Sequence, residues 1–321
     1  MKCSLGIDVG SVSTNFVLLD EKNKLVDRLY LSTSGKPIEA ITEGLKFLGE
    51  KYHNVQIVAV GTTGSGRQLA AVLVGADIIK NEITAHAVAA QQEIPNTQTI
   101  LEIGGQDSKI IIIRNGVVVD FAMNTVCAAG TGSFIDRQAQ RLGIPVKDFG
   151  EIALRSDNPT RIAGRCAVFA ESDMIHKQQI GHKTEDILWG LCKALVRNYL
   201  SNVGKGKEIK PPVIFQGGVA ANSGIKRSFE EELGYEIVIP RYYDVMGAIG
   251  AALIAVKYIK NRKIKTNFFG FQTAFRSYNV KSFDCNGCPN MCEVIQLFSD
   301  GKNLLARWGD KCGKWSSNLA I

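Results

Sequence analysis

Ser4-Leu-Gly-Ile-Asp-Val-Gly-Ser-Val-Ser-Thr14 begins as an apolar strand and ends in a polar turn. The turn offers one carboxylate, one glycine and three hydroxyl groups, on Asp8, Gly10, Ser11, Ser13 and Thr14. Backbone N–H groups and hydroxyls in such a turn can surround a phosphate, and the carboxylate can hold Mg²⁺ through water. A polar hairpin turn without a ligand fits the same residues. Apolar runs at 14–20 and 24–31 follow, so residues 3–31 predict a hairpin or meander.

A second strand and turn of the same kind lies about 100 residues further along the chain. Gln98–Ile103 predicts the strand, which ends in Gly104-Gly105 and is followed by Gln106 and Asp107. Two such loops, each carrying an aspartate, indicate an internal duplication with two similar subdomains that flank a cleft.

Further strands also run into glycine-rich turns and then into helices. Val55–Gly61 is almost continuously apolar, as in a buried parallel sheet. Pro212–Asn222 has the same order of strand, Gly-Gly turn and helix. The small residues of 244–255 suit a helix that packs close against a nucleotide or a neighbouring helix. Glycine-rich loops at the carboxyl ends of strands are where open α/β sheets bind ligands.

Two cysteines lie at the front of predicted helices. Cys127 comes just before the glycine-rich turn of 124–143, and Cys166 begins the helical pattern of 164–176. The N-terminus of a helix carries a partial positive charge, which favours a thiolate and an anionic metal–sulfur centre. Two cysteines are half of the thiolates that an iron–sulfur cubane needs.

The composition is that of an ordinary globular protein. The chain has 321 residues, of which 45% are hydrophobic, and a net charge of +7. The length predicts roughly two domains. The positive charge looks spread out, and no Lys/Arg stripe with interleaved aromatics indicates nucleic acid, so an acidic partner or a phosphate ligand is favoured. We expect a cytoplasmic protein, because residues 1–10 lack a signal-peptide pattern and the apolar stretch 245–258 is too short to span a membrane.

The eight cysteines of a cytoplasmic chain indicate metal or redox chemistry rather than disulfides. Four of them form a C-x₂-C-x₃-C-x₁₉-C pattern near the C-terminus: Cys285, Cys288, Cys292 and Cys312. Tetrahedral Zn²⁺ or a second iron–sulfur cluster fits this pattern, and so do four reduced thiols without a ligand. Cys192 lies on an apolar helical stripe and is expected to be a core cysteine.

Taken together, four motifs resemble the superfamily of acetate and sugar kinases, heat-shock chaperones and actin. In chain order these are Asp8-x-Gly-Ser-x-Ser-Thr14, Gly104-Gly-Gln-Asp107, Gly217-Gly-Val-Ala-x-Asn222 and Gly247-Ala-x-Gly-Ala251. That superfamily implies an α/β fold of two ribonuclease-H-like subdomains with ATP in the cleft. The cysteine stretches narrow the resemblance to the ATP-dependent activators of 2-hydroxyacyl-CoA dehydratases and benzoyl-CoA reductase-type enzymes, over about residues 3–258.

The resemblance implies a homodimer with one bridging [4Fe–4S] cluster, to which each chain contributes Cys127 and Cys166. ATP hydrolysis would drive one low-potential electron onto a partner of anaerobic metabolism, namely an iron–sulfur dehydratase, a reductase or a double-cubane protein. Ferredoxin or flavodoxin would be the electron donor. No nucleic acid or membrane partner is expected.

The resemblance also assigns site residues. The catalytic and Mg²⁺-related residues would be Asp8, Gln106 and Asp107. The residues that bind ATP or ADP would be Gly10, Ser11, Ser13, Thr14, Gly105, Gly130, Thr131, Gly217, Gly218, Asn222 and Gly247.

The expected domain organisation is a two-lobed ATPase core at 1–260 and a Cys-rich extension at 261–321, with the first lobe at roughly 1–120 and the second at 121–260. A small-molecule kinase of sugar-kinase type is the main alternative function, since Asp107 could act on a substrate hydroxyl. A chaperone-like module switched by ATP is a third possibility.

Overall fold

The computed structural model describes residues 1–124, 127–301 and 303–316. These residues form two units, one made of residues 1–88 and the chain from 247 onward, the other of residues 89–246. No helix in the described part of the chain is both long enough and apolar enough to cross a membrane.

The first unit contains a five-stranded sheet and three helices that follow its strands. The strands are β1 (Lys2–Val9), β2 (Ser13–Asp20), β3 (Leu25–Ser32), β4 (Gln56–Thr63) and β5 (Ile78–Ile79). The helices are α1 (Pro37–Lys51), α2 (Arg67–Val74) and α3 (Glu82–Glu93), of which the last continues into the second unit. The strand order is β3-β2-β1-β4-β5, with β1, β2 and β3 antiparallel and β4 and β5 parallel to β1.

The second unit repeats this sheet. Its strands are β6 (Thr99–Ile103), β7 (Ser108–Arg114), β8 (Val117–Asn124), β9 (Val213–Gln216) and β10 (Ile237–Val238). The order is β8-β7-β6-β9-β10, with the same pattern of antiparallel and parallel neighbours as in the first sheet. The internal duplication expected from the sequence is therefore confirmed, and each unit has the strand order of a ribonuclease-H-like subdomain.

Five helices accompany the second sheet: α4 (Gly132–Leu142), α5 (Phe149–Ala153), α6 (Ala167–Gln179), α7 (Thr184–Asn202) and α8 (Ser223–Leu233). Helix α7 is the centre of this core, because most of its residues are buried, including the expected core residue Cys192. Burial raises the pKa of the Cys192 thiol well above its usual value, so this cysteine stays protonated.

Helix α9 (Met246–Arg262) returns the chain to the first unit. Its small residues allow very close packing, because a Cβ on Gly6 of β1 would collide with the backbone of Ala248 and Ala252. Gly61 of β4 meets Ala251 in the same way. A Cβ on Gly250 would likewise collide with the backbone of Ala85 in α3, so the prediction of a small-residue helix packed close against a neighbouring helix is confirmed.

The chain after α9 forms a three-stranded antiparallel sheet of β11 (Tyr278–Asp284), β12 (Glu293–Ser299) and β13 (Asn303–Trp308). One face of this sheet places Leu297, Ala306 and Trp308 in the same apolar core as Leu5 and Ile7 of β1. The β12–β13 turn lies at Asp300-Gly301, with both residues at positive φ. Strand β11 was not expected from the sequence.

The units divide the chain differently from the boundaries expected near residues 120 and 260. Strands β6–β8 form one sheet with β9 and β10 and so belong to the second unit, whereas α9 and the C-terminal sheet pack on the first. The first unit is discontinuous in sequence, a feature that no local sequence pattern indicates.

Candidate functional site: two phosphate-type loops and a cysteine pair

The first loop connects β1 to β2 and is closed by hydrogen bonds. The Gly10 N–H donates to the Ser13 carbonyl at 2.8 Å, and the Thr33 hydroxyl donates to the Gly10 carbonyl at 2.9 Å. Ser11 is exposed at the tip of the turn, and Ser13 is partly exposed. The turn therefore offers hydroxyl groups to solvent on a rigid backbone.

Thr14 has a different environment from the rest of this loop. It is fully buried in β2, and its hydroxyl lies 2.9 Å from that of Thr33. Because Thr33 also holds Gly10, the buried side chain of Thr14 stabilises this loop from the protein interior. The role expected for Thr14 at a phosphate stays a prediction.

The Asp8 carboxylate is enclosed by backbone. A Cβ on Gly64 would collide with Asp8 Oδ1 and the Val9 carbonyl, and a Cβ on Gly247 would collide with Asp8 Oδ2. Gly247 is the second residue of α9, whose first N–H groups carry partial positive charge. The two glycines therefore bring backbone against the carboxylate, and the N-terminus of α9 lies beside it.

The second loop is organised by a buried lysine. Lys109 Nζ lies 3.0 Å from Glu102 Oε2 and 2.8 Å from Asp107 Oδ1, and the Lys109 and Glu102 side chains are 3% and 6% exposed. Glu102 and Lys109 face each other across β6 and β7. Asp107 is therefore fixed by an ion pair, while Gln106 is exposed beside it. Glu102 and Lys109 were not expected as site residues, although two charges within apolar strands were a visible signal.

Tyr199 supports Lys109 from α7. Its hydroxyl donates a hydrogen bond to the Lys109 carbonyl at 2.6 Å. Burial, with the Glu102 charge acting in the same direction, raises the pKa of the Tyr199 phenol well above its usual value. The phenol therefore remains a neutral donor at any physiological pH.

The second loop is bonded directly to the start of α4. The N–H groups of Gly132 and Ser133 donate to the carbonyls of Gly104 and Gly105, each at 2.8 Å. The Ser133 hydroxyl also donates to the Gly105 carbonyl at 2.5 Å. A movement of the Gly104-Gly105 backbone would therefore be transmitted to α4.

The two residues before α4, Gly130 and Thr131, are buried. The Thr131 hydroxyl donates to the Ala128 carbonyl at 2.8 Å, and a Cβ on Gly130 would crowd the Asn198 side chain. Their expected proximity to the phosphates of a nucleotide stays a prediction.

Cys127 precedes a short 3₁₀ helix at Ala128–Gly130, which leads into α4. Asn124 fixes the cysteine backbone on both sides: its side chain accepts from the Cys127 N–H at 2.9 Å and donates to the Cys127 carbonyl at 2.8 Å. The cysteine is half-exposed. Thr125 and Val126 lie outside the described residues.

Cys166 is the residue before α6 and is also half-exposed. Asn198 of α7 joins its segment to Cys127, because the Asn198 amide donates to the Gly164 carbonyl at 2.7 Å and lies 3.8 Å from Cys127 Sγ. Cys127 Sγ is also 4.0 Å from the Arg165 carbonyl. One buried asparagine therefore holds the two cysteine segments side by side. Asn198 and Asn124 were missed because nothing in the sequence links them to the cysteines.

This cysteine pair fits half of a bridging cluster. Both thiols are free, half-exposed and placed at the front of a helical segment. Within the described residues, no three His, Cys, Asp or Glu side chains converge as a complete metal site requires. One chain thus offers two sulfur ligands here, and a cubane held by four thiolates would need a second pair.

Hydrogen bonds within the second unit account for the Gly-Gly turn after β9. Gly217 donates to the Tyr243 carbonyl at 2.9 Å, and Gly218 begins a 3₁₀ turn that ends at Ala221. Asn222 then caps α8, since its side chain accepts from the Ile225 N–H at 3.0 Å. These contacts fix the turn, and the expected role of Gly217, Gly218 and Asn222 on the adenosine side stays a prediction.

The C-terminal sheet brings its cysteines towards one end. Cys285 and Cys292 continue the β11–β12 pairing, because the Cys285 N–H donates to the Cys292 carbonyl at 2.8 Å, and Cys288 lies in the connection between them. Cys312 follows β13 and is exposed. Trp315 reaches back, and its indole N–H lies 3.2 Å from Cys285 Sγ.

This environment favours the Cys285 thiolate. The pKa of the Cys285 thiol lies below its usual value because the Trp315 indole donates a hydrogen bond to it, while the Gly287 N–H and the Lys314 charge act in the same direction. The four sulfurs do not converge on one point among the described residues.

The chain matches the model of the BadF/BadG/BcrA/BcrD ATPase family over residues 5–255. It belongs to this family. It is 35% identical to the (R)-2-hydroxyglutaryl-CoA dehydratase activating ATPase of Acidaminococcus fermentans, over 79% of this chain and 97% of that protein. One of the benzoyl-CoA reductase subunits of Thauera aromatica is 30% identical over 79% of this chain and 93% of that protein.

A solved structure of the family has the same fold. The activator of the 2-hydroxyisocaproyl-CoA dehydratase from Clostridium difficile, with bound ADPNP, superimposes with a TM-score of 0.75 at 34% identity, covering 82% of this chain and 98% of that one. The resemblance seen in the sequence is thus confirmed for the family and the fold. The C-terminal sheet lies beyond the residues that the family model matches.

Proposed function

We propose that this chain hydrolyses ATP to drive one low-potential electron from a dimer-bridging [4Fe–4S] cluster to a partner iron–sulfur enzyme. The observation that carries the proposal is the direct hydrogen bonding of the Gly104-Gly105 loop to the start of α4, the helix that follows Cys127. The family match supports the ATPase part, and ADPNP is bound in a related activator.

The residues of the two loops suggest distinct tasks. Asp8, enclosed by backbone at the start of α9, would hold Mg²⁺ through water, while the hydroxyls of Ser11 and Ser13 would donate to phosphate oxygens. Gly10, whose N–H is used within the turn, would let the nucleotide approach the backbone closely. Gln106 is the exposed side chain that would position the attacking water. Asp107 is already paired with Lys109. It would therefore help to position the reacting groups rather than accept a proton as a free base.

The cysteine pair would supply the cluster ligands. When bound, the cluster supplies one-electron chemistry at low potential. Asn124 and Asn198 would hold the Cys127 and Cys166 segments in place, and a second copy of the chain would complete the set of four thiolates. A backbone shift at Gly105, produced by hydrolysis, would reach Cys127 through α4 and the 3₁₀ turn.

The partner enzyme would be a 2-hydroxyacyl-CoA dehydratase, a benzoyl-CoA-type reductase or a double-cubane protein, as the names of the relatives suggest for the first two. Ferredoxin or flavodoxin would reduce the cluster. We place this reaction in the cytoplasm, where eight cysteines stay reduced.

The deciding experiment is iron and sulfide analysis of anaerobically purified protein. We expect about four iron atoms per dimer at the bridging site, and Cys127→Ser should lose them. Cys3→Ser is the matched control, since Cys3 is a buried cysteine of β1. Unchanged iron in Cys127→Ser would overturn the proposal.

A small-molecule kinase of sugar-kinase type is the alternative. It would explain the two loops but would leave Cys127 and Cys166 without a task. Colourless protein that transfers phosphate to a small hydroxyl compound would favour this alternative.

We also propose a second metal centre in the C-terminal sheet, with Zn²⁺ or iron–sulfur held by Cys285, Cys288, Cys292 and Cys312. The pairing of Cys285 with Cys292 and the reach of Trp315 to Cys285 support it. Metal binding would require the 285–292 connection and Cys312 to move towards each other. Cys288→Ser should lower bound zinc or iron while the iron held by Cys127 stays, and metal content equal to that of Cys3→Ser would contradict this centre.

A further inference from the structure

The net charge of the protein is concentrated at one end of the chain. Residues 257–321 contain eleven Lys and Arg against four Asp and Glu, an excess of seven that equals the excess of the whole chain. Residues 1–256 are therefore balanced. The even spread expected from the sequence was wrong.

The described cations at this end are not neutralised by ion pairs. The ion pairs seen among the described residues involve other side chains, such as those of Lys51, Lys109, Lys207 and Lys226. Within residues 257–301 and 303–316, no Lys or Arg pairs with a carboxylate. A surface of this kind attracts an anionic partner.

Part of this charge lies on one face of the C-terminal sheet. Lys281, Gln296 and Arg307 are neighbours across the three strands. The opposite face carries Leu297 and Ala306, which are buried in the core of the first unit. Lys281 and Arg307 therefore point away from that core.

Aromatic rings at the same sheet lie against these cations. Lys281 Nζ is 5.5 Å from the Phe298 ring, and Trp315 has Arg307 at 5.5 Å and Lys314 at 5.3 Å. The Phe283 ring meets the Trp315 ring edge to face at 5.1 Å. Rings engaged in this way do not offer the free faces on which nucleic-acid bases stack, whereas the cationic heads can still meet carboxylates.

We infer that this outer face, defined by Lys281, Arg307 and Lys314, docks a small acidic one-electron carrier protein. The inference rests on the proposed function, in which a donor must reduce the cluster. The carrier would lose one electron and the oxidised cluster would gain it, with no proton or further reactant.

The (R)-2-hydroxyglutaryl-CoA dehydratase activating ATPase is matched over 97% of its length by only 79% of this chain. The added sheet therefore suits a partner other than the dehydratase.

Electrostatic docking predicts a clear loss on charge reversal. The test uses the full chain, oxidised flavodoxin as the acidic probe and the variant Lys281→Glu/Lys314→Glu. We expect affinity at low salt to fall about tenfold or more, and the wild-type affinity to fall as salt rises. Lys281→Arg/Lys314→Arg should bind like wild type, because it keeps the charge. Lys22→Glu/Lys24→Glu changes the net charge equally, on exposed residues of the β2–β3 turn, and should retain most of the affinity.

Equal losses in the two Glu variants would overturn the inference, since only net charge would matter. Wild-type affinity that does not respond to salt would overturn it too. Binding of a single-stranded DNA oligonucleotide that is lost in Lys281→Glu/Lys314→Glu, together with no binding of flavodoxin, would assign the face to nucleic acid instead. The affinity measurement needs no cluster, so it decides the docking face independently of the iron analysis of Cys127→Ser.

Discussion

The two five-stranded sheets share their strand order but differ in the segment after their third strand. In the first unit β3 leads to α1, which packs on the sheet as an ordinary amphipathic helix. In the second unit β8 leads to Cys127 and then to α4. The two copies of the fold therefore differ at this connection: the first leads directly into a helix, whereas the second carries a cysteine where the chain meets the glycine loop.

The loops of the two sheets are also stabilised in different ways. Hydroxyl groups of Thr14 and Thr33 and close backbone contacts hold the first loop, whereas a buried ion-pair cluster holds the second. The first loop therefore depends on many small contributions and the second on one large contribution. Variants at both loops test this contrast.

The largest effect is expected for Lys109→Met. Removing the lysine leaves Glu102 buried without its cation, which should lower the free energy of unfolding by about 3–5 kcal/mol. Chemical denaturation measures this loss. Lys207→Met is the control in the same unit, since its partner Asp120 is exposed, and it should change stability little. Similar losses in both would remove the special role of Lys109.

The next effect concerns the two aspartates. Asp8→Asn should lower Mg²⁺-dependent ATP hydrolysis by about 10- to 100-fold. Asp107→Asn should cost less, because Lys109 already neutralises much of its charge. Rates measured over a series of Mg²⁺ concentrations would separate the two, and a larger loss for Asp107→Asn would reverse their proposed roles.

A smaller effect is expected for Asn198→Leu. The variant loses the hydrogen bond to the Gly164 carbonyl, which leaves an acceptor unpaired at a cost of about 1–3 kcal/mol. If the asparagine holds the cysteine segments together, the release of iron to a chelator should also become faster. Asn202→Leu removes only a contact to Asn198 itself and should release iron at the wild-type rate. Equal release from both variants would limit Asn198 to a packing role.

The smallest effect is expected for Thr33→Val. The loss of its hydroxyl contacts to Thr14 and Gly10 should lower stability by about 1 kcal/mol. Ser133→Ala, which removes a comparable hydroxyl contact at the second loop, should cost about the same. A much larger loss for Thr33→Val would show that the first loop also depends on one dominant contact.

The sequence predicted those parts of the molecule that depend on local chemistry. Asn-Gly is typical of a type I′ hairpin turn, and both Asn115 and Gly116 have positive φ between β7 and β8. The two glycine loops and the position of Cys127 and Cys166 before helical segments were also readable from neighbouring residues. In each case the residues that determine the local structure are close to it along the chain.

The rest depends on partners that are distant in sequence. Asn198 reaches Cys127 across 71 residues, and Gly247 reaches Asp8 only because α9 returns to β1. The boundary at Gly247, where the first unit resumes, follows from that return. No local pattern specifies such contacts, since they are fixed by the packing of whole elements.

The return of α9 to β1 also has a consequence for synthesis on the ribosome. Residues 89–246 form a continuous unit that can close its core as soon as it has emerged. The first sheet must wait for α9, and until then Gly6 and Gly61 have no helix against them. A nascent chain would therefore complete the half that carries Cys127 and Cys166 before the half that encloses Asp8.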